Sequence, residues 1–105
     1  MSADNGIYIG VFKDGERRVI EAQAIENIDY PESENASAIV DYFGNAKVFH
    51  TTGEALEEAC RMETEIANSD FPILEYGIST ILFSKSFSAY VHEAEEQKKF
   101  NEEQS

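Results

Sequence analysis

The chain is predicted to be a single α+β domain with the element order ββαβαβα, its four-stranded sheet mixed or antiparallel and opened by an N-terminal β-hairpin. Three observations carry this. Two alternating apolar stretches, "GIYIGVF" and "RRVIEAQA", flank an Asp14-Gly15 pair, the strongest short-range hairpin signal. The segment "TTGEALEEACRMETEIANSD" repeats apolar residues at helical spacing. A strand-like run, "FPILEYGISTILF", precedes a shorter amphipathic segment, "SFSAYVHEAEEQKK".

In the hairpin, a two-residue Asp14-Gly15 loop sets Lys13 opposite Glu16. Pairing then continues as Phe12 with Arg17, Ile9 with Ile20, Tyr8 with Glu21 and Ile7 with Ala22. This register puts Ile7, Ile9, Ile20 and Ala22 on one face and Tyr8, Phe12, Arg17 and Glu21 on the other, with Arg17 over the Phe12 ring. It also sets Gly6 opposite Gln23 and Asn5 opposite Ala24. The polar run Ser2 to Gly6 therefore enters a ladder and forms no turn, and Asp4 and Asn5 are expected to bond the backbone of the departing "AIENIDY" segment.

Beyond the irregular "IENIDYPESEN", "ASAIVDYFG" reads as a short helix. Asn35 caps it, Ile39, Val40 and Phe43 form its buried stripe, and Gly44 stands at the C-terminal position that favours a left-handed residue. "NAKVFH" is a short strand. The long helix opens with a Thr51 and Glu54 capping box, buries Ala55, Ala59, Met62 and Ile66 with Leu56 and Cys60 widening the stripe, and pairs Glu57 with Arg61 on its outer side. The last strand starts at Pro72 and uses Gly77 as a bulge or close-packing point. Apolar groups on both its faces suggest a central position, and its crossover from the third strand is right-handed if the two lie parallel. Ser86 caps a final helix whose stripe is Phe87, Tyr90, Val91 and Ala94. Residues 1–94 form the domain and 95–105 a charged, frayed helical tail. Two helices cover one sheet face. The second, an aromatic face of Tyr8, Phe12, Phe49 and Phe83 with Ile81, falls to the C-terminal helix or to a partner.

A length of 105 residues supports one core, and a hydrophobic fraction of 42% is ample for folding. The one cysteine, Cys60, makes no internal disulfide, and with two histidines it assembles no zinc site. A reducing, cytoplasmic compartment is expected, and no apolar run suits export or membrane insertion. The formal net charge of −13, from 21 acidic against eight basic residues, repels phosphate backbones and anionic membranes. Direct nucleic-acid binding is excluded on that ground. An acidic face suits a basic partner, and solubility alone is the plainer reading.

No catalytic, cofactor or metal site is predicted. His92-Glu93 lacks the second histidine of a metallohydrolase helix, since position 96 is Glu. His50 ends a strand beside no nucleophile elbow, and Cys60 reads as inert core filler. Glu21 and Glu75 could pair in the manner of glycosidase carboxylates, but each is expected to be a solvated strand residue. A second function class, a small enzyme or ligand binder, would need Asp4-Asn5-Gly6, Glu75 and Tyr76 to converge on a pocket. Self-association through the aromatic face, giving a homo-oligomer, is a third.

The acids are dispersed, nine before residue 51 and twelve after it. A DNA-like face about 30 Å long would need roughly 18 aligned charges, so a local contact patch is favoured over full mimicry. The candidate patch is Glu54, Glu57, Glu58, Glu63 and Glu65 on the long helix, with a second dense run at Glu93, Glu95, Glu96, Glu102 and Glu103.

The segments "SADNGIYI", "AQAIENI", "AKVFHTTGEALEEA" and "FPILEYGI" resemble small uncharacterised acidic proteins encoded by tailed bacteriophages and prophages. The resemblance spans most of the chain short of its last twenty-odd residues and implies an origin, not a reaction. It implies a non-enzymatic accessory protein that binds one host protein, such as a component of a defence system or a nucleic-acid-binding enzyme, in the host cytoplasm.

Overall fold

Gly15 has a φ of +92°, and its N–H donates to the Phe12 carbonyl over 3.0 Å. The Phe12 N–H donates to the Glu16 carbonyl at 2.9 Å, and the Asp14 carboxylate accepts from the Glu16 N–H at 3.1 Å. The hairpin loop is thus the three residues Lys13, Asp14 and Gly15, with Gly15 in the left-handed conformation of a bulge. Only glycine adopts that φ without strain. The extra loop residue moves the predicted register by one. Strand β1, Asn5–Val11, pairs antiparallel with β2, Arg17–Gln23, as Ile9 with Val19, Tyr8 with Ile20, Ile7 with Glu21, Gly6 with Ala22 and Asn5 with Gln23. A one-residue slip exchanges faces. Ile7, Ile9 and Val19 now share one side, and Tyr8, Phe12, Ile20 and Ala22 the other.

The computed structural model describes residues 5–23, 25 and 35–104. Its remaining elements are α1, Ala36–Phe43; β3, Val48–Phe49; α2, Thr52–Ala67; β4, Ile78–Leu82; and α3, Phe87–Gln104. The sheet order is β3-β2-β1-β4, with β3 antiparallel to β2 and β4 parallel to β1. The α+β class, the element order, the opening hairpin and the mixed sheet are as predicted. The position of β4 is not, for it lies at an edge and β1 and β2 are central. Its apolar groups diverge because Ile81 and Phe83 join one core cluster and Ile78 the other, while Leu82 is 72% exposed. The strand is also shorter than predicted, because Gly77, at φ +64°, ends the irregular 71–77 segment.

Helices cover both faces, in the layer order α1 and α3, sheet, α2. The Asn35 side chain caps α1 by accepting from the Ala38 N–H, the Thr51 hydroxyl caps α2 from Glu54, and the Ser86 hydroxyl caps α3 from Ala89. Gly44 is right-handed, with φ −62°, so α1 does not close on a left-handed residue. The charged segment after Ala94 continues α3 without a break, and Gln97 accepts a hydrogen bond from Ser37 of α1 at 3.3 Å.

The predicted aromatic face is a core. Phe12 stacks on Phe83 with centroids 4.7 Å apart, and Phe43, Phe87 and Tyr90 meet Phe12 edge-on at 6.0, 5.3 and 6.1 Å. Each such pair adds about 0.5–1.5 kcal/mol beyond burial. The C-terminal helix, with α1, is therefore what covers Tyr8, Phe12, Ile81 and Phe83. Phe49 is not among them and packs on the α2 side. The cations over aromatic rings are Arg18 on Phe87 at 3.7 Å, Lys47 on Phe49 at 5.6 Å and Lys85 on Tyr90 at 5.7 Å. Arg17 reaches instead to the Gly15 and His50 carbonyls.

The aromatic core closes directly on the backbone at Gly10, where a Cβ would stand 3.0 Å from both the Phe43 and the Phe83 ring. Gly10→Val is accordingly expected to destabilise the fold by about 1–3 kcal/mol. Urea unfolding would show this as a lower midpoint at constant m-value, whereas an unchanged midpoint would mean that the rings withdraw without penalty.

Candidate interaction surface

Helix α2 lies against the sheet through Ala55 and Ala59, both fully buried, with Met62 and Ile66 half-buried beside them. Small residues at these positions let the helix approach β1 and β2 closely, so its other side chains are set on two flanks and an outer crest. Leu56 and Cys60 do not widen the buried stripe as predicted, and both are exposed. At about 100° per residue they point well away from Ala55 and Ala59.

The five predicted patch residues divide between the flanks. Glu54, Glu58, Arg61 and Glu65 recur at spacings of four, three and four and form one stripe, with Glu57 beside it toward solvent. Glu63 lies on the opposite flank with Leu56 and Cys60. Arg61 does not pair with Glu57, as predicted, but with Glu58 and Glu65. The hydrogen bond with Glu58, joined by the charges of Glu58 and Glu65, holds the guanidinium above its ordinary pKa, against a smaller opposing effect of desolvation. Glu58 is the least exposed of these carboxylates, its side chain 11% accessible. A shallow hollow of about 220 Å³ gathers Glu54, Glu57, Glu58 and Arg61 against Lys47 and Phe49 of the β3 edge. Toward the end of the helix, Glu65 lines a second hollow of about 360 Å³ with Glu21, Asn5, Ser69 and Phe71. Glu21 reaches it because the shifted register puts this residue on the α2 side of the sheet, opposite Ile7.

Asn5 is a polar hub whose partners in 73–75 sequence reasoning missed. Its side-chain amide donates to the Ile73 carbonyl at 2.9 Å and to Glu21 at 3.3 Å, and its side-chain oxygen accepts from the Glu75 N–H at 3.2 Å. Its main-chain carbonyl accepts from Tyr76 at 2.9 Å. Segment 73–76, on the way into β4, is thus a partner of Asn5; Asp4 and all of "AIENIDY" but Ile25 lie outside the described residues. Asn5, Gly6, Glu75 and Tyr76 do converge, and the Asn5 carboxamide there is engaged by backbone and by Glu21.

The other candidates take plain positions. His50 and His92 are exposed, and His92 stands 3.2 Å from Glu96 on the surface of α3. Glu93 pairs with Lys85 at 2.8 Å and lines, with Glu96, Gln97 and Phe100, a hollow of about 520 Å³ on α3. Among the described residues, no three His, Cys, Asp or Glu side chains are grouped to hold a metal ion, and no helix is long and apolar enough to cross a membrane.

Comparison of the chain with protein-family models, curated proteins and solved structures finds no match.

Removing the Asn5 carboxamide leaves the Glu75 N–H and the Ile73 carbonyl without this partner, and Asn5→Ala is expected to destabilise the fold by about 1 kcal/mol. Amide hydrogen exchange should quicken at Glu75 while Tyr76, held by the Asn5 main chain, keeps its protection. Equal loss at both amides would contradict a side-chain role.

Proposed function

We propose that this chain performs no chemistry of its own and acts by stoichiometric binding of a protein with a basic surface, through the carboxylate flank of α2. One observation carries the reading: Glu54, Glu57, Glu58 and Glu65 crowd one flank of a rigid, capped helix, with Arg61 as the cation set among them. Held on a packed helix, these charges sit in a fixed pattern, which favours recognition and fast association over a diffuse acidic cloud. The resemblance to small phage-encoded proteins supplies the setting, an infected cell and a host protein as partner. Inhibition of a defence enzyme or of a nucleic-acid-binding enzyme fits both the charge and that setting.

A contact patch is favoured over full DNA mimicry on arithmetic. The molecule is 47 Å along its longest axis, and a duplex of that length carries about 28 phosphates. The whole chain has 21 acidic residues, and two of the α2 carboxylates are bound to Arg61.

The test is capture from bacterial host lysate on immobilised protein, followed by affinity measurement on the partner recovered. Binding should be saturable and weaken steeply with salt. Glu54→Gln combined with Glu57→Lys, which spares both partners of Arg61, should weaken it about tenfold or more, about 1.4 kcal/mol per tenfold. Glu63→Lys on the opposite flank should leave it nearly unchanged. No saturable partner, or an affinity indifferent to salt and to the double variant, would overturn the proposal.

A further inference from the structure

We infer that β4 is the seam of a homodimer, in which two copies pair their β4 strands antiparallel about a two-fold axis centred on Thr80 and join their sheets into one. The first ground is the backbone. The Ile7 N–H donates to the Gly77 carbonyl at 2.8 Å and the Phe83 N–H to the Val11 carbonyl at 2.9 Å. Residues along a strand alternate in the direction of their N–H and C=O groups. Gly77, Ser79, Ile81 and Phe83 therefore face β1, and Ile78, Thr80 and Leu82 turn theirs outward. Among the described residues, no strand pairs with that outer edge.

An edge left in this way is a template for another chain, and proteins ordinarily blunt it with a charge, a proline or a bulge. The five residues Ile78-Ser79-Thr80-Ile81-Leu82 carry none of these. Helix α2 lies over β1 and β2, and on its side of β4 Ile78 joins the core cluster while Leu82 at the other end is 72% exposed. Phe71, Ile73 and Tyr76 in the approach to β4 are exposed as well.

Three features specify a second copy as the occupant. The outward groups are symmetric about Thr80, so a two-fold sets Thr80 against Thr80 and Ile78 against Leu82. Each of the three pairs exchanges two bonds, about six in all. Ile78 and Leu82 share a face, and across the seam each fills the open space beside the other. Residues 71–84 contain a single charge, Glu75, so molecules of net charge −13 meet with little repulsion here, whereas a basic protein is drawn to the acidic flank of α2. Glu75 precedes β4 by three residues and Lys85 follows it by three, so antiparallel pairing brings unlike charges together and parallel pairing like ones.

Sedimentation equilibrium of the full chain, from low micromolar to sub-millimolar concentration, should show a reversible dimer. Thr80→Pro removes an outward N–H that β1 does not use and should weaken dimerisation about tenfold or more, with an unchanged circular dichroism spectrum. Thr80→Cys in a Cys60→Ser background should cross-link on mild oxidation, because residues of a hydrogen-bonded antiparallel pair stand about 5.5 Å apart at Cα, within disulfide reach. This second reading decides the matter if the proline variant fails to fold. A wild-type monomer at every concentration, a folded Thr80→Pro variant that still dimerises, or a dimer that does not cross-link at residue 80 would each overturn the inference.

Discussion

Closure of the hairpin at Phe12 and Glu16 decides which side chains meet which helix. With three residues in the loop and Gly15 in the left-handed region, Tyr8 and Phe12 lie on one side of β1 and Ile7 and Ile9 on the other. The first pair draws Phe43, Phe83, Phe87 and Tyr90 over it, which requires α1 and α3 to pack together on that side. The second pair accepts Ala55 and Ala59, which seats α2. A two-residue loop would put Ile7 and Ile9 with Ile20 and Ala22, and would bring Arg17 and Glu21 to the aromatic side. Gly10 belongs to the same constraint, since the rings of Phe43 and Phe83 occupy the space a side chain would take.

Charge is arranged around this frame. The described core contains no buried polar or charged residue, and most cations whose contacts are described serve the fold. Arg18 stacks on Phe87 and donates to the Phe43 carbonyl at 3.0 Å, tying β2 to α1 and α3. Arg17 binds the hairpin loop and the end of β3, and Lys85 binds Glu93. Basic groups drawn into structural contacts leave acidic groups unbalanced outside. The surplus on α2 follows from this allocation as much as from the number of Glu residues in the helix.

Local signals were legible in the sequence. Asn35, Thr51 and Ser86 each cap the helix predicted for them, because a cap is fixed by residues within one turn. The Ala55, Ala59, Met62 and Ile66 stripe faces the sheet for the same reason. Features set by distant partners were not legible. Asp14-Gly15 marks a hairpin but is compatible with either loop length, and the choice rests on which register both helical layers can bury. The apolar groups on both faces of β4 came from two separate core clusters, not from a central position. Asn5 meets residues some seventy positions away, which no periodicity reveals. For the candidate surface, the five glutamates were read as one patch, and helical spacing on the packed helix sets Glu63 on the other flank from Glu54, Glu58 and Glu65. The choice of Glu58 and Glu65 over Glu57 as partners of Arg61 needed the side chains.

The two surfaces argued above occupy different parts of the molecule, and that separation has a physical basis. Repulsion between copies of a strongly acidic chain rises wherever carboxylates face each other, so self-association is confined to surface that lacks them. The approach to β4 and the strand itself supply it, on the side of β1 away from the hairpin. A two-fold through Thr80 stands perpendicular to the sheet, so both α2 helices would fall on the same side of the joined sheet, each over its own β1 and β2. Such pairing would leave both acidic flanks open, one toward each β3 edge of the joined sheet, so the proposed self-association and the proposed binding of a basic protein would not compete for surface.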